Sequence, residues 1–134
     1  MCVYVQGCPH KCAGCHNPQT HPFDLGYIVD ICDVFKQFTQ NPLLAGMTFS
    51  GGEPFCRAQP LSELGRMVKD MGKNLWVYSG YTHEELLEMA KTDVYVMRLL
   101  QITDVLVDGR YDETQRTLDI PFVGSANQRV IQLR

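Results

Sequence analysis

An open, partial (β/α) barrel on a mostly parallel sheet of about five strands is the α/β fold this sequence predicts. Three observations predict it. Strand-like and helix-like patterns alternate along the chain, the order that lays parallel strands side by side with helices in the crossovers. The 134 residues make one domain, 1–134, yet fall far short of the ~250 typical of a closed eight-stranded barrel. Glycines and polar or thiol side chains collect just after successive strands, at the ends where parallel sheets gather their ligands.

The first strand is CVYVQ (2–6), β-branched and apolar. It is entered at the second residue, which reads as a chain whose N-terminal start is missing. Residues 26–41 carry Ile28, Ile31, Cys32, Phe35 and Phe38 at helical spacing and stop near Asn41-Pro42. GMTFS (46–50) is the second strand, closed by Gly51-Gly52. QPLSELGRMVKDMG (59–72) has Pro60 near its start, a stripe of Leu61, Leu64, Val68 and Met71, and Gly72 where a helix would end. NLWVYSG (74–80) is the third strand. Thr82 and Glu85 then stand at capping-box spacing for the next helix, and a further helical stretch covers Val94–Leu100. DVLVDG (104–109) is the fourth strand. A polar loop separates it from QRVIQL (128–133), the fifth.

Composition narrows the function. The chain is 45% hydrophobic and 20% charged with a formal net charge of −3, so it offers no basic field to nucleic acid or to an anionic membrane. No apolar run approaches the ~18 residues that span a bilayer, and a signal sequence is not evident. These features read as a cytoplasmic protein. In that setting six cysteines argue for metal or redox chemistry rather than a disulfide framework.

Half of those cysteines fall in GCPHKCAGCHN (7–17), where Cys8, Cys12 and Cys15 are spaced C-x3-C-x2-C directly after the first strand. Thiolates suit zinc or iron–sulfur clusters. Structural zinc takes four closed ligands, usually in pairs; here no partner pair follows, though His10, His16 or His21 could complete a site. An iron–sulfur cluster is held by cysteine at its corners. Three cysteines on four irons would leave one iron open, and an open position separates a working metal from a structural one. The spacing favours the open cluster. Of the other cysteines, Cys2 and Cys32 read as small buried hydrophobes and Cys56 as structural. His10 and His16 read as solvent-facing or next to the cluster, His83 as an exposed first-turn residue, and Trp76 as core.

The cysteine motif together with GGEP (51–54) after the second strand resembles the radical S-adenosylmethionine superfamily. QGCPHKCAGCHNPQTH, TFSGGEPF, YSGYTHEEL, VLVDGRYD and GSANQRVIQL, in that order from residue 6 to 133, resemble its branch that activates anaerobic ribonucleoside-triphosphate reductase. The resemblance implies a 4Fe-4S cluster on Cys8, Cys12 and Cys15, with S-adenosyl-L-methionine on the fourth iron. It implies reductive cleavage to a 5′-deoxyadenosyl radical, which takes a hydrogen from a glycine of the partner reductase. A flavodoxin-like or other low-potential donor would supply the electron. On this resemblance the backbone at Gly51 and Gly52 would receive the ligand's ammonium, with Glu53 adding negative charge. Gly14, Cys15 and His16 would flank the adenine. Ser79 and Asp108 would hold the ribose or methionine end, and Arg110 would pair with the carboxylate. Glu53 also has a structural reading, as a cap on the following helix. The glycine-rich turn that precedes this point in the superfamily is not in the sequence. Activases of formate-lyase type carry Asp-x-Lys where Asp108-Gly109-Arg110 stands, which ranks that alternative lower. A zinc-binding module without catalysis is the alternative from another class.

Overall fold

The computed structural model describes residues 1–134. Its elements follow the chain as β1 (Cys2–Val5), α1 (Ile31–Thr39), β2 (Gly46–Gly51), α2 (Ala58–Asp70), β3 (Asn74–Tyr78), α3 (His83–Ala90), α4 (Val94–Ile102), β4 (Val105–Asp108) and β5 (Arg129–Gln132). Short 3-10 turns lie at Pro18–Thr20, Pro54–Arg57 and Glu113–Gln115. The strands form one sheet in the order β1-β2-β3-β4-β5. The first three pairings are parallel, while β5 runs antiparallel to β4 with Leu106 opposite Ile131. The connection from β4 to β5 contains no α-helix, and without a crossover helix the chain returns antiparallel. The sheet does not close, because β1 and β5 are both edges.

Strand alternation sorts the side chains onto two faces. Met47, Phe49, Leu75, Val77 and Leu106 point to one side and join Phe38, Leu61, Leu64, Val68, Leu86, Val96 and Leu99 of the helices in one core. Gly65 lets α2 lie close on that core, against Ile102 and Leu75. The opposite face carries Tyr4, Thr48, Ser50, Trp76 and Tyr78, none of them fully buried. Trp76 therefore belongs to this second face and not to the core, and its ring lies 4.8 Å from Phe122 in the β4–β5 connection.

Local chemistry sets the element ends. Thr82 and Glu85 form the expected reciprocal capping box. Gly72 follows α2 with φ +73°, the left-handed conformation that glycine adopts freely past a helix end. α1 starts five residues later than its apolar spacing suggests, since the Asp30 carboxylate accepts from the Cys32 N–H and fixes the N-terminus there. Ile28 is consequently outside the helix and fully exposed. Cys32 and Cys2 are exposed, not buried: Cys32 lies on the outer side of α1, and Cys2 on an edge strand.

Candidate metal centre

The loop from Gly7 to His21 is tied at its base before any cofactor is considered. Gly7 N–H donates to the Thr20 carbonyl at 2.7 Å and Cys8 N–H to the His21 carbonyl at 2.9 Å. The Gln6 side-chain amide spans the carbonyls of Gln19 and Pro22 at 2.9 and 2.7 Å. Thr20 is buried, and its hydroxyl donates to Asn17 O at 2.6 Å. From β2, Gly52 N–H donates to Val5 O and Glu53 N–H to Gly7 O, both at 2.8 Å. A Cβ at Gly52 would overlap the Gly7 carbonyl, so the GGEP turn and the cysteine loop meet backbone to backbone.

All six cysteines are free thiols. Burial pushes the Cys8 thiol up, the His10 backbone N–H works against that, and Glu53, Cys12 and Cys15 add to the rise. Cys15 sulfur already accepts from the Asn17 N–H at 3.4 Å, the kind of contact that tunes cluster sulfurs. No three His, Cys, Asp or Glu side chains converge tightly enough for a single metal ion. Tetrahedral zinc, with Zn–S of about 2.3 Å, needs sulfurs about 3.8 Å apart. A four-iron cluster takes its thiolates on separate irons and accepts a wider spread. The donor set fits a cluster.

Glu53 is completely buried. One carboxylate oxygen accepts from Phe55 N–H at 3.0 Å and Ser79 Oγ at 2.8 Å, the other from Gly80 N–H at 2.8 Å and His10 Nε2 at 2.7 Å. These donors use the roughly four acceptor positions a carboxylate has. Glu53 caps the Pro54–Arg57 turn and joins three segments, with its oxygens spent on protein groups. Ser79 Oγ donates to Glu53 and accepts from Tyr81 N–H at 3.0 Å. Asp108, also buried, accepts from His83 N–H at 2.7 Å and from the Arg129 guanidinium, which reaches on to Glu84 at 2.7 Å. Arg110 is exposed and pairs with Glu85 at 3.3 Å. Each of these four side chains is therefore held by a partner within the chain.

The open space lies on the second face of the sheet. A cavity of about 340 Å³ is lined by Cys15 and His16 of the cysteine loop, Ser50 and Tyr78 of β2 and β3, and Tyr111, Arg116, Phe122 and Gln128 beyond β4. Small-molecule sites span roughly 300–1,000 Å³. A smaller hollow of about 270 Å³, around Thr48, Trp76 and Phe122, lies toward the other strand ends and has no thiol or charged group. Phe122 has φ +70°, a strained value for an aromatic residue, and lines both spaces. His16 and Tyr111 rings lie 4.9 Å apart at the cavity wall. Gln128 accepts from the N–H groups of Gly124 and Ser125 at 2.8 and 3.2 Å and donates to Gly109 O at 2.9 Å, which shapes the connection over the cavity. Of the predicted ligand contacts, Cys15 and His16 line this space; Gly14, Gly51, Gly52, Glu53, Ser79, Asp108 and Arg110 lie outside its wall. Ser50, Tyr78 and Tyr111 were not anticipated. For the two strand residues the signal was the polar half of each strand's alternation.

A family model described as a 4Fe-4S single cluster domain matches residues 1–131. The anaerobic ribonucleoside-triphosphate reductase-activating protein of Haemophilus influenzae is 33% identical over 94% of this chain and 83% of its own length. The chain belongs to this family of activating proteins. Other activating proteins of the same description come from Pasteurella multocida, at 31% identity over 94% of this chain and 82% of the relative, and from Enterobacteria phage T4, at 29% over 96% and 80%. No helix is long and apolar enough to cross a membrane.

Proposed function

We propose that this activating protein generates a glycyl radical on an anaerobic ribonucleoside-triphosphate reductase by reductive cleavage of S-adenosylmethionine. The observation that carries the reading is three free cysteines spaced C-x3-C-x2-C on one pinned loop, beside a cavity that Cys15 itself lines. When bound, a 4Fe-4S cluster supplies one open iron and one electron, which the sulfonium accepts as it splits into methionine and a 5′-deoxyadenosyl radical. The names of the relatives favour the ribonucleotide reductase over a formate-lyase as partner.

Cys8, Cys12 and Cys15 hold the cluster. The N–H groups of Gly52 and Glu53 are committed to Val5 and Gly7, so an ammonium group, which needs acceptors, would be met at this turn by carbonyls. His16 and Tyr111 offer an aromatic wall to the adenine, and Arg116, which makes no ion pair, offers a cation at the cavity lip. Gly14, with φ +72°, gives the loop the turn that brings Cys15 and His16 to that wall. The cavity excludes bulk water on its sheet side, and the unclosed sheet leaves lateral room for a loop of the partner carrying its glycine. A flavodoxin-like donor and a cytoplasmic setting complete the reading.

The test is anaerobic reconstitution with iron and sulfide, followed by a dithionite-driven assay for 5′-deoxyadenosine. The proposal expects product from the wild type and none from Cys12→Ala. A colourless, zinc-loaded protein without product would sink it.

A further inference from the structure

The GGEP glutamate touches no open space, and that placement gives it a different task. Glu53 is 0% exposed and the His10 side chain 4%, and the two meet at 2.7 Å. His10 stands between Cys8 and Cys12, while Glu53 follows β2 and its other partners, Ser79 and Gly80, follow β3. The His10 ring also packs edge-on against Tyr81 at 4.5 Å. A Cβ at Gly80 would overlap that ring, so the β3 turn is shaped around the histidine. The carboxylate's other three neighbours, Phe55 N–H, Ser79 Oγ and Gly80 N–H, all donate to it, and the Nε2–H tautomer of His10 completes the set.

Resting on the radical reading above, we propose that Glu53 is a positioning residue that acts through His10 on the cysteine loop rather than by contact with the ligand. Through His10 it clamps the middle of the cysteine loop to the turns after β2 and β3. Its buried carboxylate is bonded to His10, two residues from both Cys8 and Cys12, and an added negative charge there favours the oxidised cluster and lowers its reduction potential. The charge and the clamp separate experimentally, because the first requires a loaded cluster and the second does not.

Hydrogen exchange on the metal-free chain tests the clamp. His10→Phe keeps the packing on Tyr81 and loses the donor. Cysteine-loop amides, including Cys8 N–H, should then exchange roughly ten- to hundredfold faster, the factor for one lost charge-assisted hydrogen bond. Amides in the middle of β2 and β3 should be unchanged. His10→Gln, which offers an N–H near the Nε2 position, should restore most of the protection. Redox titration of the reconstituted protein tests the charge: Glu53→Gln should take up iron and show a more positive midpoint than wild type. Wild-type loop exchange in His10→Phe, equal acceleration throughout the molecule, or an unshifted midpoint in iron-loaded Glu53→Gln would each overturn the inference. A wild type that takes up no iron would overturn the radical reading together with the charge role, while the exchange result would still decide the clamp.

Discussion

Replacing Gly52 by alanine adds one methyl group at the seam between the GGEP turn and the cysteine loop. Its backbone lies outside the left-handed region, so the substitution brings no conformational strain of its own. The added Cβ would overlap the Gly7 carbonyl oxygen and stand 2.9 Å from Gly7 C and Thr20 O. These are backbone atoms of two residues tied together by the Gly7 N–H to Thr20 O hydrogen bond, so relief requires the whole base of the loop to shift. Overpacking costs about 1–3 kcal/mol. Opening the seam also weakens the Gly52–Val5 and Glu53–Gly7 bonds, at about 1 kcal/mol each. The stiffer unfolded chain returns about 0.4–1 kcal/mol, which leaves a net loss of about 2–4 kcal/mol. At this chain length that is roughly 6–15 °C in Tm. Thermal unfolding of the metal-free protein by circular dichroism reads it directly. Gly72→Ala is the comparison: with φ +73° and nothing within 4 Å, it isolates backbone strain, about 1–2 kcal/mol. Gly52→Ala melting within about 2 °C of wild type would refute the close backbone seam.

Other expectations follow from the same geometry. Gly65→Ala gains about 1 kcal/mol of helix propensity but sets a Cβ 2.7 Å from Ile102 Cδ1 and 2.9 Å from Leu75 Cδ2, so urea unfolding should show a net loss of about 0.5–2 kcal/mol. Cys2→Ser and Cys32→Ser, both at exposed positions, should leave iron uptake unchanged, whereas Cys12→Ala should lose it by iron analysis. Arg129's hydrogen bonds bring the Glu84 carboxyl down from 4.5 to about 2, so its stabilisation is complete above pH 4.5 and is lost as pH falls through about 2. The Tm gap between wild type and Glu84→Gln should therefore be full at pH 7 and shrink steadily below pH 4.5; a gap constant to pH 3 would contradict the pairing.

The strands were legible because each is a short apolar or alternating run bounded by glycine or a polar turn, and the strand predicted at 46–50 is observed at Gly46–Gly51. Helix starts were legible where the cap lay within three residues, as at Thr82 and Glu85. They were misread where apolar spacing continued past the cap, as at Ile28 ahead of Asp30. The burial of Cys32 failed for the same reason: helical spacing gives the period of an apolar face but not which flank turns inward. At the site, local spacing brought out the cysteine loop and the GGEP turn. The partners of Glu53, Asp108 and Arg110 did not emerge, since each bond joins residues more than twenty positions apart in the chain. The cavity was legible only in part, because more than half its wall is the β4–β5 connection, whose polar sequence has no periodicity to place it.

Electron paramagnetic resonance of the reconstituted, reduced protein with and without S-adenosylmethionine tests the central claim most directly. The account predicts a reduced four-iron signal that changes on adding the ligand, because one iron has no protein thiolate and takes the ligand instead. A signal indifferent to S-adenosylmethionine would contradict an open cluster beside the Cys15 cavity.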